Sequence, residues 1–347
     1  MSDANVPPDA LPRPGTRGKC ALVTGGTGFT GAYLVRSLTS DGYAVRVVTR
    51  SAERARTVFG ASTNSVDVLE GDLRDAAIAR RAVSGCDEVY HLAAAFREPG
   101  IRPRQYREVH VAATRYLLEA SRAEHVSRFV HCSTVGVHSD VVNPPADENE
   151  PHHPGDIYQE TKSEGELLAL RFQQEHGFPL TVARPVGIYG PGDMRMLKLF
   201  RAIARRRFVM IGSGRTLFHM VHVRDLVRGL RLMAEHDAAI GEVFILGGEE
   251  YCSLRELVAR IANVWSVPQP SLRVPVWPVY AAGAVCEALC VPFGIDPPLY
   301  RRRVSFFTKN RAFRIDKARR VLGYRPAVGL QQGLEETAAW YRDNGYI

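Results

Sequence analysis

The sequence predicts an α/β fold: a doubly wound parallel sheet with a smaller substrate-binding domain woven from the second half of the chain. From Lys19 onward, short Val-, Leu- and Ile-rich segments alternate with helix-like segments, as in βαβ units. The first apolar segment runs into a glycine cluster, Thr24-Gly-Gly-Thr-Gly-Phe-Thr-Gly31, and the chain resumes as a helix. This pattern is typical of a strand that delivers a phosphate group to a helix N-terminus.

The first half of the chain contains six predicted strands. The first of them consist almost entirely of apolar residues, as expected when both faces of a sheet are buried. They are Cys20–Thr24, Ala44–Thr49, Val66–Glu70, Glu88–Leu92, Arg128–Cys132 and Leu180–Arg184. The predicted helices between them are Gly31–Ser40, Ala52–Phe59, Asp75–Val83, Gln105–Ala123 and Tyr158–Glu175.

After Pro185 the alternation is less regular. Met194–Arg206 is predicted as a helix, Leu217–Val223 as a strand, Asp225–Glu235 as a helix and Val243–Leu246 as a strand. Ser253-Leu-Arg-Glu256 has the spacing of a capping box that begins a helix ending at Val264. We expect residues 18–185, with the returning segment 219–249, to bind a dinucleotide, and residues 186–218 and 250–347 to bind the substrate. The Pro-rich residues 1–17 are expected to be a disordered lead-in without the apolar stretch of a secretory signal.

Composition argues against several classes of function. The chain has 347 residues and a net charge of +8, but its arginines are scattered and are not interleaved with aromatic residues. We therefore predict no nucleic-acid partner. The six cysteines include no Cys-x-x-Cys and no metal-ligand spacing. This usage predicts no metal and indicates a reduced, cytoplasmic protein.

The segment from Val274 to Gly294 is apolar, although Glu287 and three prolines interrupt it. It is short for a membrane span. We favour a helix that packs over the substrate cavity. The alternative is peripheral membrane contact, since the segment is apolar and has arginines nearby.

A second motif, Tyr158-Gln-Glu-Thr-Lys162, places a phenol and an ammonium group one helical turn apart on one face. A free tyrosine ionises near pH ~10, and a neighbouring ammonium favours the phenolate. Such a pair can transfer a proton beside a nicotinamide. The two motifs together predict an oxidoreductase.

With these residues the chain resembles the extended short-chain dehydrogenase/reductase superfamily, from about Gly18 to the C-terminus. Further marks of the resemblance are Gly71-Asp-Leu73, His91-Leu-Ala-Ala94, Ser133-Thr134 and Arg184-Pro-Val-Gly-Ile-Tyr-Gly-Pro-Gly192. The resemblance implies a Rossmann fold and a homodimer. It also implies Thr134 as the catalytic hydroxyl, with Ser133 as the alternative, Tyr158 as the acid/base, and Lys162 as its partner on the nicotinamide ribose.

The resemblance further implies a set of cofactor contacts. They are Gly25, Thr27, Gly28, Phe29, Thr30, Gly31, Arg50, Ser51, Asp72, Leu73, Leu92, Ala93, Ala94, Ser133, Tyr158, Lys162, Pro185, Gly187 and Ile188. Asp72 would accept a hydrogen bond from the adenine amino group, and it could also be a helix N-cap.

The end of the second strand bears on the choice of cofactor. NAD-binding relatives place an acid there for the ribose diol. This chain has Arg50 and Ser51 instead, with Arg54 nearby. A guanidinium and a hydroxyl suit a 2′-phosphate. We therefore favour NADP(H) over NAD(H), with a surface arginine as the other interpretation.

The C-terminal region is similar to that of the 3β-hydroxysteroid/sterol dehydrogenase branch, which implies a hydrophobic secondary alcohol or ketone as the small-molecule substrate. Candidate substrate contacts are Phe96, Val135, Tyr189 and Phe218. The alternative is a nucleotide-sugar epimerase or dehydratase, for which Arg215 and Arg311 remain as candidate phosphate contacts. A third interpretation is an NADP-binding redox sensor without turnover, which the intact Thr134, Tyr158 and Lys162 set disfavours.

Overall fold

The computed structural model describes residues 18–60, 65–95, 102–290 and 301–347. Seven parallel strands form its central sheet, in the spatial order β10-β6-β5-β4-β1-β2-β3. They are β1 (Cys20–Thr24), β2 (Ala44–Thr49), β3 (Val66–Glu70), β4 (Glu88–His91), β5 (Arg128–Cys132), β6 (Leu180–Pro185) and β10 (Val243–Leu246). All six strands predicted in the first half are present, and the predicted Rossmann-type α/β fold is confirmed.

Helices of the first half connect these strands. They are α1 (Phe29–Ser40), α2 (Ala52–Phe59), α3 (Ala76–Val83), α4 (Pro103–Arg107), α5 (Ala113–Ala123) and α6 (Ile157–His176). Side-chain caps fix three of their starts: Ser51 accepts a hydrogen bond from Arg54 N, Asp75 from Ala77 N and Asp156 from Gln159 N.

The second half adds smaller elements. Its helices are α7 (Leu197–Ala204), α8 (Val223–Glu235), α9 (Leu254–Val264), α10 (Val276–Cys290), α11 (Arg301–Thr308), α12 (Asp316–Leu322) and α13 (Leu330–Asp343). Its remaining strands are β7 (Gly187–Tyr189), β8 (Met210–Ile211), β9 (Leu217–His222), β11 (Tyr251–Ser253) and β12 (Arg273–Val274). They form a three-stranded sheet, β11-β9-β7, and a two-stranded sheet, β12-β8.

The capping box predicted before α9 is confirmed. The backbone N–H of Glu256 donates to Ser253 Oγ at 3.2 Å, and the backbone N–H of Ser253 donates to Glu256 Oε2 at 2.7 Å. Two donors at the helix start are thereby satisfied reciprocally.

Segments of the second half complete the central sheet. β10 pairs with β6, and Leu226 and Leu230 of α8 pack in one core with Leu34 and Val35 of α1. Arg231 of α8 also forms a buried ion pair with Asp41, the C-cap of α1. A separate core around Phe200, Leu257 and Tyr341 holds α7, α9 and α13 together. The first half of the chain therefore does not hold the complete sheet.

One predicted helix differs in detail. Gln105–Ala123 was expected to be a single α-helix, but Glu108–Ala112 forms a π-helical turn between α4 and α5. Such turns insert one residue and are often found at functional sites. Within the described ranges, no helix combines the length and the apolar character needed to cross a membrane.

Candidate active site

A cleft of about 890 Å³ opens at the carboxyl ends of β1, β4, β5 and β6. Open α/β sheets bind ligands at this edge. The cleft brings together most of the predicted site residues: Gly25, Gly28, Phe29, Thr30, Gly31, Leu92, Ala94, Ser133, Thr134, Val135, Tyr158, Lys162, Pro185, Gly187 and Ile188. These residues come from segments that are far apart in the sequence.

The glycine-rich loop after β1 has no room for side chains at two positions. Gly25 has a φ of +69°, and a Cβ there would lie 2.9 Å from the backbone nitrogen of Ala93. A Cβ on Gly31 would overlap the carbonyl oxygen of Gly25. Only glycine permits this turn and the close packing of α1 against it.

The start of α1 fits the pyrophosphate of a dinucleotide. Its N-cap is Gly28, with no side-chain cap, and its first turn carries no acidic residue. The N–H groups of the first turn lack intrahelical partners and favour negative charge through the helix dipole. The loop and the helix start together make a cradle that a phosphate can enter.

The end of β2 carries no carboxylate. Arg50 is exposed there, and Ser51 caps α2. Glu70 on β3 pairs with Thr49, and its Oε1 accepts a hydrogen bond from Ala52 N at 3.4 Å. Arg50 and Ser51 do not line the cleft, so their contact with the cofactor remains a prediction.

Asp72 follows β3 and is held by its neighbour Arg74, whose Nη2 lies 2.7 Å from Asp72 Oδ2. The hydrogen bonds from Arg74 hold the pKa of Asp72 below its usual value. The N-cap of α3 is Asp75, so Asp72 is not the cap that its position suggested. Thr27, Leu73 and Ala93 do not line the cleft either, and their predicted contacts remain predictions.

The two hydroxyls after β5 have different partners. Ser133 is buried and donates to the carboxylate of Glu166. Thr134 lines the cleft, and its Oγ1 accepts from Gly136 N at 3.0 Å as the cap of a 3₁₀ turn. The Thr134 hydroxyl proton can still point to a substrate oxygen. Its position favours Thr134 over Ser133 as the catalytic hydroxyl.

Tyr158 and Lys162 both line the cleft from the first turns of α6. Lys162 is 4% exposed, and its Nζ donates to the carbonyl oxygen of Cys132 at 2.6 Å. Burial lowers the pKa of Lys162. The ammonium group is thus fixed beneath the cleft, one turn from the phenol.

His110 is a site residue that sequence reasoning missed. It lies in the π-helical turn, and its ring meets the ring of Tyr158 edge-on, with centroids 5.6 Å apart. Its Nε2 accepts from Ala95 N at 3.0 Å, so Nδ1 carries the proton and donates to Thr161 Oγ1 at 2.8 Å. Burial and the Lys162 charge lower its pKa to about 3, so His110 is neutral and positions its neighbours.

A buried ionic network lies behind Ser133. Glu166 accepts hydrogen bonds from Arg184, with Arg184 Nε 3.0 Å from Oε1, while Arg184 Nη2 also lies 2.8 Å from His152 Nε2. Burial raises the pKa of Glu166, but the contacts with His152, Arg184 and Ser133 outweigh it and hold the pKa well below the usual value. Sequence spacing could have revealed Glu166, since it lies four residues after Lys162 on the same helix face.

The far wall of the cleft is aromatic and basic. α11 contributes Ser305, Phe306 and Phe307, while Arg195, Lys198 and Arg311 add cationic side chains. Arg195 forms an ion pair with Asp193 at 2.7 Å. The guanidinium of Arg311 lies 5.8 Å from the ring centroid of Phe218.

Two predicted substrate residues lie elsewhere. Tyr189 is 1% exposed because its ring packs under α13, where its hydroxyl lies 3.4 Å from the Leu330 oxygen. Phe218 is also buried and packs behind Phe306, with ring centroids 4.8 Å apart. Neither lines the cleft. Val135 does, and Phe96 lies outside the described residues.

The predicted apolar helix exists as α10, but α11, and not α10, contributes to the described lining of the cleft. Glu287 of α10 pairs with Arg301 of α11 at 2.7 Å, which joins the two helices. The end of the predicted segment, residues 291–294, lies outside the described residues.

Known proteins are similar to this chain over most of its length. A family model described as the NAD dependent epimerase/dehydratase family matches residues 21–247. A 3 beta-hydroxysteroid dehydrogenase/Delta 5-->4-isomerase of Mycobacterium tuberculosis (strain ATCC 25618 / H37Rv) is 32% identical, over 92% of this chain and 90% of that protein.

Other similar proteins differ in their substrates. A 4-hydroxy-2-methyl-3-oxo-4-farnesyl-3,4-dihydroquinoline-1-oxide ketoreductase of Stigmatella aurantiaca is 31% identical, over 90% of this chain and 94% of that protein. The crystal structure of DesIV, a dTDP-glucose 4,6-dehydratase from Streptomyces venezuelae with NAD and TYD bound, has a TM-score of 0.74 and 25% identity, covering 94% of this chain and 97% of that one.

Proposed function

Because the chain belongs to the NAD-dependent epimerase/dehydratase family and is an oxidoreductase of the extended short-chain dehydrogenase/reductase type, we propose a specific activity for it. It interconverts a secondary alcohol and a ketone on a hydrophobic, sterol-like substrate, and it uses NADP(H) in preference to NAD(H).

The residues that would hold the cofactor are those of the cradle after β1, with Lys162 on the nicotinamide ribose and Arg50 and Ser51 on a 2′-phosphate. When bound, the nicotinamide supplies the hydride acceptor or donor. The backbone N–H groups at the start of α1 would hold the pyrophosphate, and Pro185, Gly187 and Ile188 would line the nicotinamide end.

Two side chains act on the substrate oxygen, and a third acts through one of them. Thr134 donates a hydrogen bond to it and fixes its position. Tyr158 takes the hydroxyl proton during oxidation and returns it during reduction, and the fixed ammonium group of Lys162 favours the phenolate form. The nearby histidines His91 and His110 have pKa values lowered to about 3 by burial, so neither is protonated near neutral pH. We therefore assign the acid/base role to Tyr158.

The observation that carries the substrate proposal is the aromatic wall of the cleft. Phe306 and Phe307 face the same space as Thr134 and Tyr158, and Phe218 supports Phe306 from behind. Two phenyl rings beside one reactive oxygen suit an apolar, ring-bearing ketone or alcohol.

Isothermal calorimetry and cofactor-linked turnover test this proposal. We expect 3β-hydroxysteroids or similar apolar alcohols to reduce NADP at a rate that falls at least tenfold in Phe307→Ala. Micromolar binding of UDP, dTDP or GDP, with no turnover of any apolar alcohol, would contradict it.

A nucleotide-sugar substrate is the second candidate, favoured by the cationic side chains of Arg195, Lys198 and Arg311 in the cleft. A diphosphate needs such partners. Under this candidate, Arg311→Ala abolishes nucleotide-diphosphate binding, whereas under the apolar proposal it leaves hydroxysteroid KM within about threefold. Binding of NADPH without turnover of either substrate class would instead indicate a redox sensor.

A further inference from the structure

The sulfur atoms of Cys20 and Cys86 lie 3.2 Å apart. Cys20 begins β1, and Cys86 lies two residues before β4, the strand beside it. The backbone N–H of Asp87 donates to the Cys20 carbonyl at 2.8 Å, and that of Cys86 donates to the Val83 carbonyl at 2.9 Å. The contact between the two thiols is therefore fixed by the sheet and by the end of α3.

The guanidinium group of Arg46 lies next to the two cysteines. Arg46 Nη1 lies 3.7 Å from Cys86 Sγ, and the same atom donates to the carbonyls of Ala82 and Ser84 at 3.1 and 2.7 Å. The hydrogen bond from Cys86 lowers the pKa of Cys20 to about 7, with Arg46 contributing and burial opposing. Cys20 is half-buried and Cys86 is buried, so Cys20 is the sulfur that a small oxidant reaches first.

We propose that Cys20 and Cys86 are a redox modification site that closes to a disulfide in the presence of a peroxide. The Cys20 thiolate attacks one oxygen of hydrogen peroxide, the O–O bond breaks, and the departing hydroxide takes up a proton, which leaves a sulfenic acid and water. The Cys86 sulfur then attacks the Cys20 sulfur. The S–O bond breaks, and the second hydroxide takes the Cys86 proton as water. Two thiols and one peroxide thus become one disulfide and two waters.

Disulfide formation requires only a small movement of the two sulfur atoms. A disulfide requires about 2.05 Å between the sulfurs, so the two atoms approach by about 1.2 Å. The bond would close a loop that contains β1, β2 and β3, and it would stabilise the fold by restricting the unfolded chain. The pair lies at the amino end of β1, whereas the cleft lies at the carboxyl end. We therefore expect a rise in Tm with kcat preserved within about twofold.

Thiol counting tests the proposal on the full chain. After peroxide treatment we expect the free thiols to fall from the six in the sequence to about four, a tryptic peptide joining Cys20 to Cys86, and recovery with dithiothreitol. Cys286→Ser, a half-buried cysteine on α10, should still lose two thiols. Cys86→Ser should form no crosslink, should show no rise in Tm, and should yield a dimedone adduct on Cys20. Thiol loss confined to other cysteines, or none in excess peroxide, would overturn the proposal.

A second inference rests on a different feature, the outer face of α10. Its exposed residues are all apolar and recur at three- and four-residue spacing: Trp277, Tyr280, Ala281, Ala282, Val285, Ala288 and Leu289. Trp277 is 74% exposed and Leu289 64%. Surface helices normally present polar residues to water, so this face indicates a partner.

The positive charge near α10 and the link between α10 and the cleft indicate what kind of partner binds this face. The protein carries a net charge of +8, Arg273 is exposed just before α10, and the Arg301 guanidinium lies 5.9 Å from the ring centroid of Tyr280. α11, which is joined to α10 through Arg301 and Glu287, forms the aromatic wall of the cleft. The helix has 15 residues, fewer than the roughly 20 of a membrane span. The geometry points to an anionic lipid surface on which α10 lies flat.

Vesicle sedimentation tests this inference with the full chain. Phosphatidylglycerol vesicles should bind the protein at least tenfold more strongly than phosphatidylcholine vesicles do, and Val285→Glu with Leu289→Glu should remove that binding. Val142→Glu, at a valine that is 80% exposed elsewhere, is the matched control. None of these residues lines the cleft, so turnover of a dissolved substrate should stay unchanged even where lipid binding is lost. If the wild type ignores both vesicle types and the double variant converts an oligomer to a monomer, the face binds a second copy and the lipid inference is wrong.

Discussion

Tyr158, Lys162 and Glu166 occupy one face of α6 at four-residue intervals, and the three side chains have separate tasks. Tyr158 reaches the cleft, Lys162 is anchored on the carbonyl of Cys132, and Glu166 holds Ser133 and Arg184. A single helix thereby sets the distance between the proposed proton donor Tyr158, its cationic partner Lys162 and the end of β5.

Tyr158→Phe removes the hydroxyl that exchanges the proton. We expect turnover to fall by about two orders of magnitude or more, since this is the usual contribution of a general acid/base. Cofactor affinity should change little, because the phenyl ring and its edge-on contact with His110 remain. Stopped-flow hydride transfer measures the effect. Tyr251→Phe, outside the cleft, is the control, and a wild-type rate in Tyr158→Phe would remove the assignment.

Glu166→Gln should cost about 3–5 kcal/mol of unfolding free energy at pH 7, because it leaves the Arg184 charge buried without its partner. The pKa of Glu166 is lowered in the folded state, so its contribution is complete above its unfolded pKa of about 4.3 and is lost as the pH falls below that value. The difference between wild type and variant should therefore shrink from pH 7 toward pH 3.

Urea unfolding at several pH values measures this difference. Glu164→Gln is the matched control. Glu164 lies on α6 like Glu166, but it is only half-buried and pairs with the exposed Arg107 of α4, so it should contribute less than about 1 kcal/mol. A loss in Glu166→Gln that stays constant down to pH 3 would disprove the linkage.

At the scale of elements, the turn between β1 and α1 depends on a missing side chain. Gly31→Ala would place a Cβ against the Gly25 carbonyl, which is backbone and cannot rotate away. We expect cofactor affinity to fall at least tenfold, because the cradle must open to accept the methyl group. Gly329→Ala, whose Cβ meets nothing within 4 Å, should bind cofactor as the wild type does. Fluorescence titration with NADPH compares the two variants, and equal affinities would show that the turn tolerates the change.

Under our proposal, the end of β2 decides the cofactor preference. We expect NADPH to bind more tightly than NADH and Arg50→Ala to remove most of that difference, since a charge-assisted contact to phosphate contributes roughly 1.5–3 kcal/mol. Arg56→Ala, an exposed arginine in the last turn of α2, is the control. Equal dissociation constants for the two cofactors in the wild type would contradict the proposal.

Short apolar segments predicted every strand of the central sheet, because parallel strands buried on both faces are continuously apolar. It did not predict the π-helical turn at Glu108–Ala112, since one inserted residue barely alters a helical period. The two- and three-residue strands β8, β12, β7 and β11 were also not predicted from the sequence. Of these, β7 lies within the motif Arg184–Gly192, which was recognised as a motif but not as a strand. Segments so short carry no measurable period, and their pairing depends on tertiary contacts.

At the scale of the whole molecule, the sequence predicted the part of the cleft formed by the glycine loop and α6, but it did not predict the aromatic wall. The glycine loop, Thr134, Tyr158 and Lys162 lie in local motifs whose geometry follows from sequence spacing. The substrate wall comes from α11, almost 150 residues beyond Tyr158, and no local pattern links Phe306 to the cleft. Tyr189 and Phe218 were chosen by position along the chain, and packing against α13 and Phe306 turned them inward.

The cleft is assembled from segments between Gly25 and Arg311, so a bound dinucleotide contacts parts of the chain that separate completely on unfolding. A ligand of this kind binds only the native state, and it stabilises that state by RT ln(1 + [L]/Kd), about 2.7 kcal/mol when the ligand is at 100 times Kd. Thermal unfolding at increasing NADPH should therefore show Tm rising with the logarithm of concentration, and Gly31→Ala should shift that curve to higher concentrations. By the same relation, we expect the cell's supply of cofactor to affect how much folded protein survives proteolysis.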